Sequence, residues 1–101
     1  MAWTKAIPLS DLPEGEMTVF EGGPEPILIC NIDGEIHAVQ DTCTHETWSL
    51  ADGFLEGHLV ECSLHSAKFD VRTGAVKALP ACEALKVFPT KCEDGDIYID
   101  C

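Results

Sequence analysis

Short apolar stretches alternate with turn-forming residues along the whole chain. Stretches of this length predict strands over residues 4–9, 17–20, 28–32, 36–40, 58–62, 84–89 and 97–99. Six prolines are spread along the sequence and interrupt any long helix. The pattern therefore predicts an all-β protein, built as a small antiparallel sandwich or barrel.

Turns and irregular stretches separate the predicted strands. Asp33-Gly34 lies between two apolar stretches, which is a strong local signal for a β-hairpin, and Asp94-Gly95 repeats the pattern before the apolar stretch 97–99. Residues 72–74, Arg-Thr-Gly, predict a third tight turn. The stretches 41–54 and 62–68 lack alternation, and each contains Cys and His. Two such loops predict a site at one end of a β scaffold.

Length and composition fit one cytoplasmic domain. A chain of 101 residues, expected to form the single domain 1–101, can bury a modest core. No apolar stretch approaches the ~18–20 residues of a membrane span, and the amino terminus lacks a secretory signal pattern. A cytoplasmic location is therefore expected. In that reducing compartment the six cysteines favour metal binding over a disulfide framework.

The charge is strongly negative and unevenly distributed. The formal net charge is −12, and twelve Asp and Glu but no Lys or Arg lie between Lys5 and Lys68. This argues against binding to nucleic acid or to anionic membranes, which select basic patches. Such a field can steer encounter with a basic partner, although it can also serve solubility alone.

Each of the two irregular loops offers one sulfur and one nitrogen ligand. Cys43 and His45 lie in the first loop, and Cys62 and His65 lie in the second. Thiolate and imidazole suit a soft or borderline transition metal. A common zinc finger pairs two Cys in one loop and two His on one helix, which differs from these mixed loops. The arrangement suits a two-iron cluster, and zinc at the same residues is the alternative.

The two loops and their surroundings resemble the Rieske-type 2Fe-2S ferredoxins of bacterial aromatic ring-hydroxylating dioxygenase systems, of the toluene and biphenyl dioxygenase type. The resemblance covers nearly the whole chain and is densest in residues 41–45, 48–50, 60–65, 68–69, 71–74 and 86–89. Respiratory Rieske proteins have an additional disulfide-forming Cys in each loop, where this chain has Trp48 and Leu64. Dioxygenase ferredoxins often have Gly-Asp where this chain has Glu46-Thr47.

The resemblance implies a fold and a site. The fold is the Rieske-type iron-sulfur fold, with a cluster-binding portion over about residues 41–82 and a proline-containing loop near 78–81. One 2Fe-2S cluster is implied, with thiolates on the inner iron and imidazoles on the outer iron, from Cys43, Cys62, His45 and His65. Apolar surface around the cluster is expected from Trp48, Leu64 and Phe69.

The same resemblance implies a function in electron transport. Electrons pass from NADH through a flavoprotein ferredoxin reductase to this chain, and then to the terminal oxygenase of an aromatic hydrocarbon dioxygenase. The sequence contains no nucleophile–base set, phosphate loop or dinucleotide motif, so a one-electron carrier is expected rather than an enzyme. The alternatives are a zinc-stabilised non-redox interaction module and a small Rieske subunit of another oxidoreductase complex.

The other cysteines and histidines show no ligand spacing. Cys30 lies in an apolar predicted strand and is expected to be a buried structural thiol. Cys82 is also expected to be structural, and no role is assigned to Cys92 or Cys101. Two further histidines have no partner at ligand spacing and are expected to be surface residues: His37 and His58.

Overall fold

The computed structural model of the protein describes residues 2–43, 48–63, 67–78 and 83–101. Its strands are β1 (Trp3–Pro8), β2 (Met17–Phe20), β3 (Ile27–Ile32), β4 (Glu35–Gln40), β5 (Phe54–Glu56), β6 (Leu59–Glu61), β7 (Lys68–Asp70), β8 (Val76–Ala78), β9 (Val87–Phe88), β10 (Thr90–Glu93) and β11 (Asp96–Asp100). Short 3-10 helices occupy Leu9–Asp11 and Leu50–Asp52. In the described ranges, no helix has the length and apolar character needed to cross a membrane.

The described residues form three antiparallel sheets, in agreement with the predicted all-β class. The first has the strand order β1-β11-β10, the second β2-β3-β4-β9, and the third β5-β6-β7-β8. Every strand pairing in them is antiparallel. Most neighbours are also consecutive in sequence, because short turns join them into hairpins.

The two predicted Asp-Gly hairpins are confirmed. Asp33 and Gly34 have φ angles of 53° and 88° and join β3 to β4, while Asp94 and Gly95 have φ angles of 52° and 81° and join β10 to β11. Positive φ at both central residues is the type I′ conformation, whose twist matches that of paired strands. Asp tolerates the left-handed region better than most residues, and Gly has no Cβ to clash.

The predicted turn after residue 71 is also confirmed. The Gly74 N–H donates to the Asp70 carbonyl at 2.7 Å. The Arg72 side chain donates twice to the Asp70 carboxylate, at 3.1 and 2.8 Å. This hydrogen bonding by Arg72 lowers the pKa of Asp70 to about 2, against the opposing effect of burial. The carboxylate is therefore ionised at neutral pH and holds the turn at the end of β7.

The predicted strand over 84–89 is mostly wrong, because only Val87–Phe88 forms β9. The backbone N–H groups before it bond elsewhere: that of Leu85 donates to the Gly74 carbonyl at 2.8 Å, and that of Lys86 donates to the Gln40 side chain at 2.7 Å. The remaining predicted strands agree with the structure to within one residue at most ends. Four strands were not predicted: β5, β7, β8 and β10.

The central strand β3 connects two apolar cores. All six of its residues are buried. Leu28 and Cys30 belong to a core shared with the third sheet, whereas Ile27 and Ile29 belong to a second core shared with β11. Alternation along β3 thus supplies both cores, since successive side chains point to opposite faces. Burial raises the pKa of the Cys30 thiol to about 12, in agreement with its predicted structural role.

We expect Phe69→Ala to destabilise the protein strongly. Phe69 is fully buried in the core that also contains Cys43 and Cys62, so its removal leaves a cavity that costs about 3–5 kcal/mol. The matched control is Phe54→Ala, because Phe54 is 62% exposed and should lose no more than about 0.5 kcal/mol. The difference between the urea denaturation midpoints of the two variants measures the effect. Equal midpoints would contradict this account of the core.

Candidate metal centre

The two predicted cysteine ligands lie at the bases of two loops next to the third sheet. Cys43 follows β4 after two intervening residues, and Cys62 follows β6 directly. Both side chains are buried and belong to one apolar core. The predicted imidazole ligands, His45 and His65, lie outside the described residues.

A backbone hydrogen bond closes each of the two loops in the same way. The Cys43 N–H donates to the Trp48 carbonyl at 2.8 Å, and the Cys62 N–H donates to the Ala67 carbonyl at 2.8 Å. In both cases the cysteine is the first residue of a six-residue segment, so the two loops are similar at their bases. Each segment contains one of the predicted histidine ligands in its sequence.

A buried carboxylate, that of Asp41, holds the base of the first loop. One Asp41 carboxylate oxygen accepts the Ala51 N–H at 3.0 Å, and the other accepts the Ser49 hydroxyl. The Asp41 carbonyl also accepts the Leu50 N–H at 2.8 Å. Asp41 is buried, and these donors replace the water that its carboxylate would otherwise bind.

Trp48 connects the first loop to the second. Its indole N–H donates to the Ser63 hydroxyl at 2.7 Å, while 44% of the residue is exposed. The expectation that Trp48 supplies apolar surface at this end of the molecule agrees with that exposure. Phe69, in contrast, is fully buried beneath the loops, and Leu64 lies outside the described residues.

Gly53 allows the two loops to approach closely. A Cβ at this position would overlap the Glu61 carbonyl oxygen and lie 3.2 Å from the Ser63 backbone nitrogen. Both neighbours are backbone atoms next to Cys62, so they cannot move away as a flexible side chain would. Glycine at this position therefore helps to set the separation between the loop bases.

The predicted proline-containing loop begins at the edge of the third sheet. Ala78 pairs with Lys68 at the end of β8, and the rest of 78–81 lies outside the described residues. After this loop, the Leu85 N–H donates to the Gly74 carbonyl and so holds the chain against the turn that follows β7. Gly74 has a φ of 78°. A side chain at Gly74 would overlap the Leu85 carbonyl, so glycine is required for this contact.

The residues at the loop bases fit a metal–sulfur centre. Two cysteine side chains, buried in one core at the start of two loops joined by Trp48 and Ser63, provide soft ligands away from water. Protein sulfur in this position suits iron–sulfur ligation, in which hydrogen bonds and burial set the potential.

His37 and His58 are both partly exposed, and they share a contact that the sequence analysis missed. The structure brings both imidazoles to Glu35: the His37 Nε2 lies 3.2 Å and the His58 Nε2 lies 3.8 Å from the same carboxylate oxygen. Glu35 and His37 are two residues apart on β4 and so share a face, which is a signal that the sequence contains. The approach of His58 depends on how two sheets pack, and no local pattern indicates it.

Antiparallel sheets with two buried cysteines at the bases of paired loops define a class of small all-β protein suited to a metal–sulfur centre. The chain belongs to the Rieske [2Fe-2S] domain family, whose profile matches residues 2–89. This match supports a 2Fe-2S cluster as the bound group.

Relatives of similar length narrow the assignment to ferredoxins. The chain is 56% identical over 100 residues to the biphenyl 2,3-dioxygenase ferredoxin component of Rhodococcus jostii strain RHA1, covering 99% of this chain and 94% of the relative. It is 48% identical over 101 residues to the biphenyl dioxygenase ferredoxin subunit of Pseudomonas sp. strain KKS102, covering 99% and 93%. The protein is thus a Rieske ferredoxin of the aromatic dioxygenase type, an electron carrier and not the catalytic oxygenase.

Solved structures agree with this assignment. The Sphingomonas yanoikuyae B1 ferredoxin superposes with a TM-score of 0.92 at 31% identity, covering 98% of both chains. A chain from the complex of reduced oxygenase and oxidised ferredoxin in carbazole 1,9a-dioxygenase gives a TM-score of 0.90 at 32% identity, covering 96% of this chain and 91% of that one.

We expect Gly53→Ala to disturb the metal centre. Its Cβ would overlap the Glu61 carbonyl, and relieving the overlap must move the backbone next to Cys62, at a cost of about 1–3 kcal/mol or more. Iron content and visible absorbance per chain should fall, together with the unfolding midpoint. Gly57→Ala is the control, because nothing lies within 4 Å of its Cβ and only the φ of 57° opposes the substitution. Equal iron content in the two variants would contradict the steric argument.

Proposed function

We propose that Cys43, Cys62, His45 and His65 hold one Rieske-type 2Fe-2S cluster, with the thiolates on the inner iron and the imidazoles on the outer iron. The burial of Cys43 and Cys62 at similar loop bases is the observation that supports this most directly. Each histidine follows its cysteine inside the same short segment of sequence. The mixed ligand set is that of a Rieske centre.

The proposed function is one-electron transfer within an aromatic ring-hydroxylating dioxygenase system. An NADH-dependent flavoprotein ferredoxin reductase is the proposed donor, and the terminal oxygenase is the proposed acceptor. When bound, the cluster supplies a site that gains and releases a single electron. Support for the acceptor comes from the ferredoxin relatives of biphenyl dioxygenases and from the carbazole 1,9a-dioxygenase complex that contains oxygenase and ferredoxin.

The proposal also covers organisation and location. Residues 1–101 act as one Rieske-type ferredoxin domain, and about 41–82 form its cluster-binding portion, which includes the whole third sheet. We place the protein in the cytoplasm, where the exposed thiol of Cys92 suits a reducing environment.

The contact surface for the redox partners is proposed to lie at the loop end of the molecule. Trp48 presents part of its ring there, and its bond to Ser63 keeps that ring next to the second loop. The net charge of −12 favours approach to a basic partner surface. The short-range contact thus comes from Trp48 and the long-range attraction from the net charge. A kinetic experiment can distinguish their effects on the rate of electron transfer.

The first test of the proposal is the metal content of ligand variants. Protein purified without oxygen should contain about two irons and two sulfides per chain. His45→Ala and His65→Ala should each lose most of this iron and the visible absorbance, because one iron loses a ligand. His37→Ala and His58→Ala should retain both. A colourless protein with one zinc per chain would select the zinc-stabilised module instead.

The second test is the rate of electron transfer to a purified terminal oxygenase over a series of salt concentrations. Trp48→Asp should slow transfer at every concentration, because a charge replaces the apolar contact, whereas the remote change Glu14→Lys should act mainly at low salt. The electrostatic advantage should fade as the Debye length falls to ~8 Å at physiological ionic strength. Visible spectra confirm that both variants contain the cluster. A rate that does not respond to salt would contradict electrostatic steering.

A further inference from the structure

Three potential metal ligands meet at a second place, distinct from the cysteine loops. One ligand atom each from Glu35, His37 and His58 lies within 4.8 Å of the other two. Both imidazole Nε2 atoms approach the same carboxylate oxygen, at 3.2 and 3.8 Å. The two rings meet edge to face, with centroids 6.1 Å apart and planes at 79°.

The backbone that presents these three side chains is firmly held. Glu35 and His37 lie on one face of β4, opposite Ile32 and Cys30 of β3. His58 lies in the tight turn between β5 and β6, directly after Gly57 with its φ of 57°. Its carbonyl accepts the Val71 N–H at 2.9 Å, which ties the turn to the end of β7. The three side chains therefore converge from two different sheets.

Solvent can reach the group, although both imidazoles are partly covered. The side chains are 21% exposed for His37, 35% for His58 and 67% for Glu35. The nearby Arg72 interacts electrostatically with Glu35, but its guanidinium is held by two hydrogen bonds to Asp70. A chain with a net charge of −12 also attracts cations in general.

Hydrogen bonding explains only part of this arrangement. The His37 contact of 3.2 Å is a hydrogen bond to Glu35, whereas the His58 contact of 3.8 Å is too long to be one. Tetrahedral zinc with bonds of about 2.0–2.2 Å places its ligand atoms about 3.3 Å apart. Closing separations of at most 4.8 Å to that spacing needs combined side-chain movements of about 1.5 Å.

We propose that Glu35, His37 and His58 form a binding site for a divalent borderline metal ion, with Zn²⁺ as the best fit. Two imidazoles and one carboxylate are a ligand set that zinc accepts, and water can complete the tetrahedron. The bound ion connects β4 of the second sheet to the β5–β6 turn of the third sheet. Since β6 leads directly into Cys62, the ion stabilises the scaffold of the cysteine loops without using their ligands. The site does not depend on the proposed cluster ligands.

The experiment is a calorimetric titration of the cluster-loaded protein with zinc sulfate. We expect one equivalent of Zn²⁺ to bind, with the iron content and the visible spectrum unchanged, and the unfolding temperature to rise. His37→Ala, His58→Ala and Glu35→Gln should each weaken the affinity by at least about tenfold and remove the thermal shift.

Two controls test other sources of zinc binding. Glu56→Gln removes an exposed carboxylate from the same β5–β6 hairpin, and Cys92→Ser removes an exposed thiol from the first sheet; both should bind zinc as the unmodified protein does. The proposal would be overturned by a lack of zinc binding, by a zinc affinity in His37→Ala and His58→Ala equal to that of the unmodified protein, or by binding that releases iron.

Discussion

Burial of two cysteine side chains in one apolar core is the constraint on which the cluster end of the molecule depends. A thiolate in such a place loses its hydration, and it is stable only if a cation or a set of donors replaces the water. Cys43 and Cys62 meet this constraint at the entrance to short loops, where the chain leaves the sheets and other ligands can follow. A buried metal–sulfur centre and a continuous core are therefore compatible in one small protein.

The other features at this end fix where the loops begin. Asp41 holds the base of the first loop through three hydrogen bonds, of which two involve its carboxylate. Gly53 permits the approach of this loop to the backbone around Glu61, and Gly74 permits the return of the chain at Leu85. None of these residues is a proposed ligand. They position the loops, and few other residue types could replace any of them.

Elements whose cause lies within a few residues of sequence were predicted well, whereas elements that depend on packing were not. The Asp33-Gly34 turn and the strand 17–20 could be predicted because their reasons lie within a few residues. The three-residue strands β5 and β8 are too short to show a pattern, and their partners define them. Likewise β9 is short because neighbouring N–H groups bond to Gly74 and Gln40.

The candidate site likewise contains features that the local sequence predicts and features that depend on packing. The position of Cys43 and Cys62 at loop bases could be predicted, since the irregular stretches are visible in the sequence. The ligand roles of these cysteines and of His45 and His65 remain predictions that rest on the mixed loops and on the resemblance. The convergence of Glu35 with the two other histidines could not be predicted, because it requires the packing of the second sheet against the third.

The hydrogen bond between Trp48 and Ser63 has a consequence for the thermodynamics of association. An exposed aromatic side chain normally loses rotational freedom when a partner covers it, at a cost of about 0.5–1.5 kcal/mol. Here the indole is already held by a bond of 2.7 Å, so much of that entropy is lost during folding rather than during docking. At the contact surface proposed above, a short-lived complex of the small size typical of redox partners can thus have a defined geometry and still separate quickly after the electron has moved.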